Sequence, residues 1–172
     1  MRRSAKKVAF LGLCASIALI FAYLESLLPP LFAAVPGVKI GLPNIAIIFI
    51  LYRFGWKDAA VVSFVRMVAV ALLFGNPMTF LYSMAGATLS LLGMALLRKW
   101  DAFSVAAVSV VGGVLHNGGQ ILMAMLLLGT AGLGYYFIVL AITGTISGIF
   151  VGLCGTFAVK RIPNPKNLQN FK

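Results

Sequence analysis

The basic residues of this chain are not scattered. Twelve of its fourteen Lys and Arg residues stand in short clusters between long apolar runs. The exceptions are Lys39 and Arg66, and Arg66 lies in the middle of an apolar run. Apolar stretches with charge confined to their borders predict an integral membrane protein whose orientation is readable from the charges. A charge at mid-membrane depth is costly and is seldom kept without a role, so Arg66 is the first place to look for function.

Composition agrees. Hydrophobic residues make up 62% of the 172 residues and charged residues only 10%, where a soluble domain carries about a quarter charged. The net charge of +11 would suggest nucleic acid on a soluble protein. Placed at the borders of apolar runs, it points instead to the positive-inside rule and to anionic lipid, and nucleic acid is not expected as a partner. Cys14 and Cys154 fall inside apolar runs and show neither a CxxC pair nor metal-ligand spacing. The N-terminal Arg2, Arg3, Lys6 and Lys7 precede a stretch from Val8 to Leu28. That stretch exceeds the roughly 7–15 residues of a signal peptide's apolar region and reads as a first membrane helix.

Six apolar segments are legible, at about 8–28, 41–54, 58–75, 78–97, 103–128 and 133–159. The expected fold is all-α: an integral membrane bundle of six transmembrane helices in one domain over residues 1–162, with a short polar tail over 163–172. The second segment is too short to cross without tilt or help from its flanks. Pro29–Pro30 end the first helix, because proline has no backbone donor. Pro36–Gly37 and Pro43 shape the next loop, and Gly75–Asn76–Pro77 and Gly129 to Gly134 mark turns. The clusters Arg2/Arg3/Lys6/Lys7, Arg53/Lys57, Arg98/Lys99 and Lys160/Arg161/Lys166/Lys172 alternate with loops holding only Lys39. Six spans with both termini in the cytoplasm place all clustered charges inside the cell membrane.

Small residues mark packing faces. Gly144, Gly148 and Gly152 recur at four-residue spacing, as do Gly12/Ser16, Ala18/Ala22 and Gly86/Ser90. Such stripes serve close helix packing or contact with another membrane protein. The glycine stripe of the last segment also admits a homo-oligomeric channel or carrier.

Polar residues at membrane depth gather in the outer half. Arg66 falls near the midplane. His116, Asn117 and Gln120 run from mid-depth outward on the fifth segment, with Gly112, Gly113, Gly118 and Gly119 around them. Glu25, Asn44, Asn76, Thr79 and Tyr82 fall near the outer ends, as do Tyr135 and Tyr136. Such groups must face one another, water or a ligand. Two readings stand: an internal network with Arg66 paired to Glu25, or a ligand pocket in the outer half. Arg66 and Lys39 outweigh Glu25, which favours an anion such as a carboxylate or phosphate. The expected site is Arg66 and Lys39 on the anion, His116, Asn117 and Gln120 orienting the polar part, and Asn44 and Tyr82 beside them.

No catalytic motif is present. The chain has one His and three acidic residues, and two of these, Asp58 and Asp101, stand at helix starts where capping accounts for them. No acidic pair for magnesium and diphosphate, no Walker loop, no HExxH and no GxSxG occurs. The chain reads as a non-enzyme without metal or cofactor, and any energised transport needs a partner.

Three strings carry a resemblance: PGVKIGLPNIAIIFILYRFGWKDA (Pro36 to Ala59), LYSMAGATLSLLGM (Leu81 to Met94) and GGVLHNGGQILMAMLLLGT (Gly112 to Thr130). They look like the small membrane family called Gx transporters, also labelled heptaprenyl diphosphate synthase component I. Pro43 stands where that pattern has a small residue. The family is similar to the substrate-binding S-components of energy-coupling factor (ECF) transporters. The resemblance implies six helices, a ligand in the outer half, and docking onto a coupling membrane subunit with two ATPases. It implies Ala18 and Ala22, with Gly12, Ala15 and Ser16, as the docking face, and Pro36 to Asn44 as a lid. The implied ligand is a small anionic amphiphile, vitamin-like, flavin-like or isoprenoid-like. The synthase label implies the alternative, a membrane accessory subunit of heptaprenyl diphosphate synthesis.

Overall fold

The computed structural model describes residues 5–28, 40–100 and 102–162. These form six α-helices: α1 (Ala5–Leu27), α2 (Pro43–Phe54), α3 (Trp56–Leu73), α4 (Pro77–Lys99), α5 (Val105–Leu128) and α6 (Tyr136–Arg161), with a 3-10 turn over Ala131–Tyr135 before the last. Each apolar segment of the sequence is one helix, to within a few residues.

The helix boundaries have local causes. Pro43 opens α2, where its missing N–H costs nothing. Gly55 separates α2 from α3 at φ +104, a backbone angle that side chains disfavour. Its N–H donates back to Ile50 O and Leu51 O. Asn76 caps α4 reciprocally: its side chain accepts from Thr79 N at 2.8 Å, and Thr79 Oγ1 accepts from Asn76 N at 3.0 Å. Ser104 caps α5 by accepting from Ala107 N at 3.1 Å. Asp101, expected in a capping role, lies outside the described residues. Asp58 stands in the first turn of α3, but its carboxylate is buried and pairs with Lys7 Nζ at 2.6 Å, joining α3 to α1.

The helices close a ring in the order α1–α2–α6–α5–α4–α3, and α2 also touches α3. The short helix α2 is the most deeply buried element. Ala46 to Leu51 are all buried, as expected of a helix apolar on every side. The outer surface is apolar too. On α6, Ile138, Ile142, Ile146, Leu153 and Phe157 face outward, while Leu140, Gly144, Gly148, Val151 and Gly152 face in. Trp56 and Trp100 are exposed at one end and Tyr135 and Tyr136 at the other, as in the aromatic belts of membrane proteins.

The six-span expectation needs correction. Four helices are long and apolar enough to cross a membrane: α1, α4, α5, and α6 with its preceding turn. Helix α2 has 12 residues, about 18 Å against a hydrocarbon core of about 30 Å. Helix α3 has 18 residues but carries Lys57, Asp58 and Arg66. The fold is therefore an all-α six-helix bundle, with four candidate spans arranged around a short buried helix and a charged one. The four spans mark a membrane protein.

One end of the bundle is basic. Lys7 and Asp58 bring together the starts of α1 and α3. Arg98 donates to Leu51 O and, at 3.0 Å, to Tyr52 O, tying the end of α4 to the end of α2. Arg53 donates to Val159 O and, at 2.7 Å, to Ile162 O, tying α2 to the end of α6. Every described Lys and Arg except Arg66 belongs to this end.

Small residues decide how close the helices come. A Cβ at Gly148 would stand 2.6 Å from Val110 Cα, and one at Gly152 2.7 Å from Ala106 Cα. The glycine stripe of α6 is thus occupied by α5, and the homo-oligomer expected through it is not available. On α1, Ala18 and Ala22 face inward with Leu11, Cys14 and Glu25. Of the five small residues expected on a docking face, Gly12 and Ser16 are exposed and Ala15 is half-buried. Gly148→Val should therefore cost about 1–3 kcal/mol by overpacking. Gly12, with nothing within 4 Å of its missing Cβ, should accept Ala without loss. Thermal unfolding in detergent checks both, and equal melting of the two variants would contradict this packing.

Candidate functional site

Opposite the basic end, the other ends of the helices leave a cavity of about 190 Å³. It lies among the end of α1, the start of α2, the outer half of α3, the start of α4, the middle of α5 and Ser147 of α6. This is room for about six waters, below the roughly 300–1,000 Å³ of a drug-sized ligand site.

Five residues expected at a site meet here: Asn44, Arg66, His116, Asn117 and Gln120 all line the cavity. Helix geometry explains the α5 group. His116 and Gln120 are one turn apart and share a face. That face lies over Gly86 of α4, whose missing Cβ would stand 3.1 Å from His116 Cε1 and 3.0 Å from Gln120 Cγ. The same Cβ would stand 2.7 Å from His116 O, so any larger residue at 86 would force the backbones of α4 and α5 apart. Asn117 points toward α6, where its Nδ2 donates to Leu140 O at 2.6 Å. The amide N–H is thereby used in joining two helices.

Arg66 is the cation of the cavity. Its Nε is buried and finds no hydrogen-bond partner among the described residues. A guanidinium is charged under all ordinary conditions and presents its donors in a planar fork. The acidic group whose charge reaches it is Glu25. Glu25 is itself buried, and its Oε1 accepts the N–H of Gly41 at the entry to α2. The carboxylate therefore ties the end of α1 to the chain that leads into α2. Asn44 continues this corner, with its N–H donating to Gly41 O at 2.9 Å.

Two expected site residues are not in the group. Tyr82 is half-buried on α4 and does not line the cavity. Lys39, and with it Pro36 to Lys39 of the expected lid, lies outside the described residues. Six polar lining residues were not expected as site residues: Glu25, Ser26, Asn76, Thr79, Ser83 and Ser147. Glu25 was legible as a counter-charge. Thr79 and Ser83 are four apart at the start of α4, a polar face that the sequence does show.

Among the described residues the cavity offers one fixed cation, an imidazole, several amides and hydroxyls, and one carboxylate that also accepts the Gly41 N–H. Such a set suits recognition of an anion. Among the described residues no group of three or more His, Cys, Asp or Glu could hold a metal ion.

Residues 14–158 match the family model described as heptaprenyl diphosphate synthase component I. The chain belongs to that family. The matched stretch runs from α1 to α6 and includes every described cavity residue. No curated protein and no solved structure matches the chain.

The corner at Gly41 yields a test. Glu25→Ala should remove the acceptor of the Gly41 N–H and lower stability by about 1–3 kcal/mol. Glu25→Gln keeps an acceptor oxygen and should lose less. Amide hydrogen exchange at Gly41 reads this directly. Unchanged protection in Glu25→Ala would show that another group holds the corner.

Proposed function

We propose that this chain is a non-catalytic membrane component that holds an anionic group at Arg66 and serves heptaprenyl diphosphate synthesis beside a separate synthase. The family match over residues 14–158 carries this reading, because its description names a component of a synthase. The cavity supports it: a buried guanidinium with an unused Nε, flanked by amides and hydroxyls, suits a phosphate or diphosphate head. The basic end supplies a face on which a soluble synthase would sit.

A second reading is favoured by where the cavity lies. If the basic end faces the cytoplasm, as the positive-inside rule requires, the cavity belongs to the outer side. A ligand arriving there fits a substrate-binding S-component of an ECF-type transporter, working with a coupling membrane subunit and two ATPases. The strings that resemble Gx transporters support the same reading. Its ligand would be a small vitamin-like, flavin-like or isoprenoid-like anion.

Both readings need the anion at Arg66. Arg66→Gln should weaken binding of a short prenyl diphosphate by about tenfold or more, with unchanged protein yield. Parallel loss of yield and binding would make Arg66 a structural residue. Partner identity separates the readings. A mild-detergent pull-down from native membranes should bring down a prenyl synthase without ATPases on the first reading. Two ATPases and a large coupling membrane protein would support the transporter instead.

A further inference from the structure

A second hollow lies outside the bundle wall, between α3 and α4. It measures about 630 Å³ and is an open groove. Its walls are apolar: Phe64 and Met67 on α3, and Met84, Leu91, Leu92 and Leu96 on α4. Ala60, Ala87 and Ala95 make it concave, since each puts only a methyl group where a larger side chain would fill the space. It shares Met67 with the Arg66 cavity but extends the other way, toward the basic end.

Three features say what covers it. The first is charge. The basic end of the groove is lined by the exposed Lys99 and by Trp56. Lys57 does not line the groove, but its ammonium lies 5.7 Å from the ring centroid of the lining residue Trp56, which puts a second cation next to that wall. Nearby Asp58 does not offset them from the surface, being buried and paired with Lys7. The second is length. The groove follows α3 from Trp56 to Met67 and α4 from Lys99 back to Met84, or about 16 Å and 22 Å of helix. One leaflet of hydrocarbon is about 15 Å deep. The third is depth. Trp56 and Trp100 are both exposed at this end, where tryptophan marks the headgroup level.

We propose that this groove binds one anionic phospholipid of the leaflet at the basic end. Its phosphate sits between Lys99 and Lys57, and an acyl chain lies along the alanine-lined floor to Met67 and Met84. The hydrocarbon chain buries its length against the groove, while the head remains at the interface with two cations. This site is separate from the Arg66 cavity and does not depend on either functional reading.

The test uses the full chain in detergent, titrated with phosphatidylglycerol or phosphatidylcholine and read by native mass spectrometry. One phosphatidylglycerol should be retained in preference to phosphatidylcholine. Lys99→Gln, at an exposed position that leaves the fold alone, should lower its retention by about fivefold. Ala87→Phe should abolish retention by filling the floor, while thermal unfolding of the variant in detergent is unchanged. Equal retention of the two lipids, or no response to Lys99→Gln, would overturn the proposal. So would a dimer lost in Ala87→Phe without regard to lipid, which would assign the groove to a second copy of the chain.

Discussion

Helix α5 lies against both of its neighbours with backbone nearly touching backbone. On one side it meets Gly86 of α4, and on the other Gly144, Gly148 and Gly152 of α6. A membrane protein gains little from burying apolar side chains against each other, because lipid tails are equally apolar. Close approach through small residues supplies the packing that holds helices together there. At α5 it does more. The same approach sets His116 and Gln120 over Gly86 and directs Asn117 to α6, so that three polar side chains line one cavity.

The second constraint is the position of the charges. The ends of α2 and α6 meet through Arg53, and those of α2 and α4 through Arg98, each donating to carbonyls at or near the helix ends. Lys7 and Asp58 join the starts of α1 and α3. Basic residues thus fasten one end of the bundle, and the opposite end keeps a hollow with a single guanidinium among the described residues. Helix α2 can be short because α1, α3 and α6 surround it. Its 12 residues need not match the bilayer on their own.

Much of this was legible in the sequence, because apolar runs and their proline and glycine borders are local signals. The helices begin and end close to where Pro43, Asn76–Pro77 and Gly129 place them. Arg66, His116, Asn117, Gln120 and Asn44 line one cavity, and the depth and helical spacing of each can be read from the sequence. What failed depends on neighbours. Counting apolar segments gave six spans, but among the described residues four helices have the length and apolarity to cross a membrane. The direction in which a small-residue stripe points is likewise a tertiary fact. Ala18 is wholly buried and the α6 glycines are covered by α5, so neither is free for an outside partner. Tyr82 has the right depth on the wrong face of α4. The α3–α4 groove left no trace in the sequence beyond its alanines, which are common in any membrane helix.

The central claim is that Arg66 meets an anion in the cavity at the end away from the basic clusters. The most direct measurement is arginine Nε–H NMR of the protein in detergent micelles, titrated with pyrophosphate and with a short prenyl diphosphate. The resonance missing from Arg66→Lys should shift and saturate with the prenyl diphosphate at lower concentration than any other arginine. An unmoved Arg66 resonance, with shifts confined to Arg53, Arg98 and Arg161 at the basic end, would contradict the account.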